Sequence, residues 1–124
     1  MNGEVTVIHD STVMDLFTAG MRAESQRQQT IANNIANINT DGFRRSEINF
    51  DDVLAKALDK KGSFDPATLK TEVFQPEDTP INEFGSDVGL DTEVGEMAKN
   101  SLRHRTYMLV LKKKYQQMDE AMKF

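Results

Sequence analysis

The run from Asn37 to Gly42 comes closest, in residue types and spacing, to a metal site. Asn37, Asn39, Asp41 and Gly42 match positions 1, 3, 5 and 6 of the calcium-binding loop pattern. Position 12 of that pattern needs a glutamate that binds calcium through both oxygens, but Ile48 stands there. Because only one carboxylate remains among the first ligands, we predict no metal site. A weak calcium sensor is the disfavoured alternative.

A helix exit accounts for the same residues better than a calcium loop does. Gly42, after Asp41, supplies the positive φ that a tight turn needs. Asn37 or Asn39 can itself take the left-handed position at a helix C-terminus. Asn33 and Asn37 are four residues apart and therefore share one helix face. Their amides either meet water or bond across a subunit contact, and the spacing leaves both interpretations open.

The sequence contains no motif that indicates catalysis. His9 and His104 are the two histidines, and neither has a serine or cysteine nucleophile in a recognisable context. The sequence has no cysteine, no glycine-rich phosphate loop and no zinc signature. Most carboxylates fall in the middle of the chain, which we expect to be too flexible to hold a preorganised site. We predict no catalytic residues, no enzyme activity and no cofactor.

The charge of this chain is unevenly distributed. With 124 residues, 38% hydrophobic and 28% charged, the chain suits one small domain or a hairpin of long helices. Residues 41–93 carry 6 basic and 13 acidic side chains, whereas residues 94–124 carry 7 and 3. Such opposite charges either attract neighbouring molecules or belong to a solvated linker and helix face. The basic cluster Lys112–Lys114 lacks an aromatic platform, so we expect no nucleic-acid partner.

The start of the chain does not have the features of a classical secretory signal. It lacks both a basic region and an apolar stretch, and no apolar run approaches the roughly 18 residues of a membrane span. If the protein leaves the cytosol, we expect another route to carry it.

Apolar residues at alternating spacings of three and four predict a long helix at each end of the chain. The first stripe comprises Met14, Phe17, Met21, Ile31, Ile35 and Ile38. Polar Glu24 and Gln28 interrupt its centre. The second stripe comprises Val94, Met97, Met108, Leu111, Tyr115, Met118 and Met122, and Leu102 and Leu109 form a further stripe on an adjacent face. Gly20 costs its helix about 1 kcal/mol, which indicates either close approach of another backbone or a weak position.

The predicted fold is mainly α, with the two terminal helices forming an antiparallel, coiled-coil-like pair. We place the helices within residues 1–40 and 94–124, a turn and short helix in 41–62, and an acidic, partly disordered or extended segment in 63–93. Within that segment "LKTEVFQ" can make one short strand, for which the sequence offers no partner. A two-helix pair cannot bury two faces of one helix. The Leu102 and Leu109 face is therefore left over, which predicts assembly.

The two ends of the chain resemble one known family. "QQTIANNIANINTDGFRRSEINF" resembles the N-terminal signature of the bacterial flagellar rod and hook proteins, and Glu96–Met122 resembles the last helix of their smallest proximal rod members. The signature residues are Asn33, Asn34, Asn37, Asn39, Thr40, Gly42, Phe43 and Arg44, and the run Asn100–Arg103 carries the second match. The Asp41–Gly42 turn is commoner in other members, so a second proximal rod type remains a within-family alternative.

This resemblance implies a structural subunit of the flagellar rod, in the basal body and periplasmic space, exported by the flagellar type III system. The implied partners are further copies of the chain, other rod proteins, the rod-base adaptor, the inner-membrane ring and the export apparatus. We expect the apolar stripes, with Leu102 and Leu109, to form the assembly interface, and the middle to order largely on assembly. The alternative from another class of protein is a soluble dimeric helical adaptor or regulator that uses the same stripes.

Overall fold

The structure is a computed structural model that describes residues 10–59, 69–77, 79–83 and 85–123. Its elements in chain order are α1 (Asp10–Ala36), β1 (Glu47–Asn49), α2 (Asp51–Asp59), β2 (Glu72–Phe74) and α3 (Leu90–Met122). Within these ranges, no helix combines the length and the apolar character that crossing a membrane requires.

The long helices α1 and α3 pack antiparallel along each other. Phe17, near the start of α1, meets Tyr107 in the second half of α3, with ring centroids 6.0 Å apart. Asn34, near the end of α1, donates a hydrogen bond of 3.2 Å to Glu93 in the first turn of α3. These contacts confirm the predicted mainly α fold with a pair of long terminal helices.

The seam between the two helices is polar, which the apolar stripes do not predict. The buried residues of α3 are Glu93 and Asn100, and half-buried Tyr107 follows seven residues later. Val94 and Met108, which the spacing places in the seam, are 53% and 51% exposed. One row of the seam on α3 therefore lies one residue earlier than predicted, whereas Met97 and Leu111 of the other predicted row are half-buried. Apolar spacing misses the displaced row because its side chains are held by hydrogen bonds across the seam.

A second face of α1 contributes a small apolar core. Ala19 and Ala23 are buried there with Phe50, and Leu54 and Leu69 pack against them. The small alanine side chains leave room on α1 for the ring of Phe50. The short helix predicted within residues 41–62 is present as α2, and its first turn carries two acidic residues that suit the positive end of the helix dipole.

The middle of the chain has more regular structure than predicted. β2 pairs antiparallel with β1, so that Glu47 lies opposite Phe74 and Ile48 opposite Val73. The expectation that this strand has no partner is therefore wrong. At three residues, β1 is too short to show a strand periodicity. Ser86–Val88 are buried, and α3 begins at Leu90 rather than Val94. The predicted flexible stretch at 63–68 lies outside the described residues.

Candidate assembly surface

Asn34 fixes the exit from α1. Its side chain is fully buried. Its Nδ2 donates to the carbonyl oxygen of Ser46 (2.9 Å) and to Oε2 of Glu93, while its Oδ1 accepts from the N–H of Ser46 (3.0 Å). The Asn34 amide therefore satisfies both backbone groups of Ser46. It links the segment around Ser46 to both long helices.

Arg45 and Asp87 complete a polar junction with Asn34 and Glu93. Arg45 is buried, its Nε donates to Oε1 of Glu93 (2.7 Å), and its guanidinium also pairs with Glu47. Its backbone N–H donates to Oδ1 of Asp87 (2.5 Å). Burial alone would lower the pKa of Arg45, but the bonds to Glu47 and Glu93 outweigh burial and raise it. The buried guanidinium therefore stays charged and paired.

Two glycines shape the turns that meet at this junction. Gly42 has φ +72° and Gly85 has φ +74°, and a Cβ added to Gly85 would lie 3.6 Å from the backbone of Gly42. The positive φ predicted for Gly42 is confirmed. Neither Asn37 nor Asn39 takes the left-handed conformation, because among the described residues only glycines have positive φ.

The amides on the shared helix face of Asn33 and Asn37 bond to each other in this structure. Asn37 donates to the carbonyl oxygen of Asn33 (2.8 Å) and to its Oδ1 (3.3 Å), and the hydroxyl of Thr40 donates to Oδ1 of Asn37 (3.2 Å). These bonds stabilise the last turn of α1. A role for the exposed amides in a subunit contact stays a prediction.

A second polar contact lies midway along the seam. Asn100 is fully buried, and its Nδ2 donates to the carbonyl oxygen of Glu24 (2.6 Å) and to Oε2 of the same residue (2.7 Å). Arg27 donates to Oε1 of Glu24 (2.5 Å), and Arg103 lies 3.7 Å from it. Glu24, predicted as an interruption of the stripe, is thus the centre of the seam. Buried Oδ1 of Asn100 has no hydrogen-bond partner among the described residues.

Gly20 of α1 lies directly against the ring of Tyr107. A Cβ at this position would meet Cζ of Tyr107 at 2.7 Å, so α1 leaves room here for an aromatic ring rather than for another backbone. Burial, followed by the nearby charge of Glu24, raises the pKa of Tyr107. The ring is therefore neutral at physiological pH.

Polar side chains fill much of the seam, so that several apolar side chains of α3 lie outside it, although Met97 and Leu111 are half-buried. Leu102 and Leu109 are 66% and 61% exposed. Leu102 lies two residues, about 200°, from Asn100 and so points away from α1. We call this surface the outer face of α3. It comprises Leu102 and Leu109; the other exposed large apolar residues in the second half of α3 are Met108, Val110, Tyr115, Met118 and Met122.

The structure divides the predicted assembly residues into an inward and an outward set. Ile31 is buried, whereas Met14, Phe17, Met21, Ile35, Ile38, Met97 and Leu111 are half-buried. The exposed set comprises Val94, Leu102, Met108, Leu109, Tyr115 and Met118. A role in assembly stays a prediction for both sets.

Sequence reasoning missed the residues that hold the seam and the junction. Arg45, Asp87, Glu93 and Asn100 are buried but polar, and polar residues are usually interpreted as solvent-facing. One usable signal was present. Glu93, Asn100 and Tyr107 are spaced by seven, the repeat of a helix seam.

The calcium-like run forms no ligand cluster. Ile48, at the position where calcium needs a glutamate, is buried, and the neighbouring Glu47 pairs with Arg45. Within the described ranges, no group of three histidine, aspartate or glutamate side chains could hold a metal ion.

Known proteins resemble this chain at its N-terminal helix and along most of its length. The family model "Flagella basal body rod protein" matches residues 17–44, which cover most of α1 and the turn after it. The chain is 24% identical to the rod protein FlgB of Bacillus subtilis, over 79% of this chain and 82% of that protein. It is 27% identical to FlgB of Aeromonas hydrophila, over 83% of this chain and 86% of that protein.

A longer relative matches only in part. The chain is 33% identical to the rod protein FlgG of Borreliella burgdorferi over 64% of its own length, but it spans only 26% of that protein. The matches that cover both partners almost end to end are those to FlgB. The chain is therefore similar to the flagellar basal-body rod proteins, and along most of its length to those of the FlgB type.

Proposed function

We propose that this chain is a structural subunit of the proximal rod of the bacterial flagellar basal body and polymerises through its terminal helices. The outer face of α3 is the observation that carries the proposal. Leu102 and Leu109 expose most of their surface on the side away from α1. An apolar stripe of this kind is typical of an interaction surface, and a subunit that must bind neighbours needs one.

The polar seam supports the same proposal. An apolar seam would bury the leucines and methionines of α3 inside the pair. Here Glu24 and Asn100 occupy that place and leave the apolar residues to neighbours. Buried polar contacts also add less stability than well-packed apolar ones. A helix pair of this kind would unfold easily for export through the flagellar type III apparatus.

The proposed partners are further copies of the chain, the other rod proteins, the rod-base adaptor and the inner-membrane ring. The proposed role is mechanical and needs no catalytic group and no cofactor. The within-family alternative, the second proximal rod type, receives no support from the near end-to-end matches to FlgB.

Complementation tests this function. A strain without its own FlgB-type protein should swim again when it expresses this chain, and purified basal bodies should contain the chain. The empty vector is the control. Swimming restored while the chain is absent from purified basal bodies would contradict a role as a rod subunit.

A further inference from the structure

We propose that a groove on α3 receives the β2 edge of a second copy of this chain. This inference rests on the proposed function and names the surfaces that meet. The groove has a volume of about 530 Å³, and its walls are Gln28, Ser101, His104, Arg105, Met108, Leu109 and Lys112. Met108 and Leu109 provide an apolar floor, and Arg105 and Lys112 provide a positive rim. We call it the basic groove.

Charge is segregated along the chain in two consecutive blocks. Residues 72–96 carry eight acidic and no basic side chains, and residues 97–118 carry six basic and no acidic ones. In the acidic block, Asp87 and Glu93 are buried in the polar junction, whereas Glu72 and Glu77 are exposed. Between described residues, neither Glu72 nor Glu77 forms an ion pair, and neither does Arg105 or Lys112. Both blocks therefore have charge available for a partner of opposite sign.

The acidic block also presents apolar side chains. Val73 and Phe74 of β2 are 65% and 42% exposed. Among the described residues β2 has one neighbouring strand, β1, so its other edge is open. The segment Glu72–Glu77, which we call the β2 edge, thus combines two exposed apolar residues with two flanking carboxylates. This pattern complements the apolar floor and the positive rim of the basic groove.

The two surfaces cannot meet within one molecule. Thr71, beside β2, contacts Gln26 of α1, whereas Gln28 borders the basic groove. Residues two apart on a helix lie on nearly opposite sides. The contact must therefore join different copies. Because it joins two unlike surfaces, each copy can bind a further one, and repetition builds a ring or an open helical filament.

Paired charge reversals test this contact in the purified full-length chain. The groove variant carries Arg105→Glu with Lys112→Glu, and the edge variant carries Glu72→Lys with Glu77→Lys. Each variant alone brings like charges together, so its self-association should weaken by at least about tenfold in sedimentation velocity. An equimolar mixture should restore association, because each surface then finds an opposite charge on the other variant.

A matched control separates this contact from a general charge effect. Lys113→Glu with Lys123→Glu changes the net charge by the same amount, outside the groove, at one residue of α3 and one residue just after its end, and it should leave association unchanged. Circular dichroism should show equal helicity in all variants, since the altered residues are exposed. A mixture that stays dissociated while both variants are folded would overturn the proposal. Loss in the groove variant with none in the edge variant would assign the groove to a different surface of the second copy and also overturn the proposal.

The complementation strain distinguishes this inference from the proposed function. If the parent chain enters basal bodies and both variants enter them equally well, the contact is wrong while the rod function stands. If the parent chain itself never enters basal bodies, the rod function is wrong as well.

Discussion

At the scale of single residues, Asn34 should matter far more than its neighbour of the same type. Asn34→Leu leaves the N–H and C=O of Ser46 and one oxygen of Glu93 without their partner in a buried site. We expect the free energy of unfolding to fall by about 2–3 kcal/mol, measured by urea denaturation. Exposed Asn33, changed to leucine in the same way, should shift it by no more than about 0.5 kcal/mol. Equal losses in the two variants would contradict the role of Asn34.

The contacts of single residues were the part of the structure that could be predicted least from the sequence. The asparagine cluster could be placed at a helix exit because asparagine and glycine favour such turns, and Gly42 has the predicted positive φ. Which asparagine is buried depends on residues distant in sequence. Asn34 bonds to Glu93, and Asn100 bonds to Glu24, so neither bond leaves a local pattern in the sequence.

At the scale of elements, two helical glycines should respond oppositely to alanine. Gly95 has nothing within 4 Å of an added Cβ, so Gly95→Ala should stabilise the chain by up to about 1 kcal/mol through helix propensity. At Gly20 the added methyl group would meet the ring of Tyr107 at 2.7 Å. Gly20→Ala should therefore lose that gain or destabilise the helix pair. Thermal unfolding of both variants measures this difference, and an equal rise in melting temperature would refute the close approach.

Tyr107 should make the helix pair sensitive to alkaline pH. Burial, followed by the charge of Glu24, raises its pKa in the folded chain above the ordinary value of 10.0. Its contribution to stability is therefore fully present below pH 10 and lost as pH rises through the raised pKa. The urea midpoint of the parent should fall more steeply above pH 10 than that of Tyr107→Phe. The exposed residue Tyr115, changed to phenylalanine, is the control and should keep the parent's steep fall. Parallel curves for Tyr107→Phe and the parent would contradict this coupling.

The elements themselves could largely be predicted. Long runs with a spacing of three and four predict α1 and α3, and the short helix predicted within residues 41–62 corresponds to α2. The pairing of β1 with β2 could not be predicted, because two strands of three residues joined through 22 intervening residues carry too little pattern. One row of the seam on α3 was displaced by one residue because Val94 and Met108 lie outside the pair, while Met97 and Leu111 of the same stripe are half-buried.

At the scale of the whole molecule, this helix pair differs from an ordinary one in where its apolar side chains lie. Polar residues fill much of the space between the helices, and several leucines and methionines lie outside. An exposed apolar face of this kind would let a rod subunit bind its neighbours. In a soluble dimeric adaptor, the second subunit would cover this apolar face, and assembly would end at a closed dimer. The two functions therefore differ in how molecular mass grows with concentration.

The most direct test of this account is the mass of the purified chain as a function of concentration, for the parent and for Leu102→Asp. Asn100→Asp, two residues away on the buried side of the same helix, is the control that perturbs the seam instead. The parent should pass from monomer to progressively larger assemblies. Leu102→Asp should keep the parent's helicity and remain monomeric. Asn100→Asp should instead lower the folding stability of the chain before it affects self-association. A parent chain that stays monomeric and fully folded at the highest concentration would contradict the account.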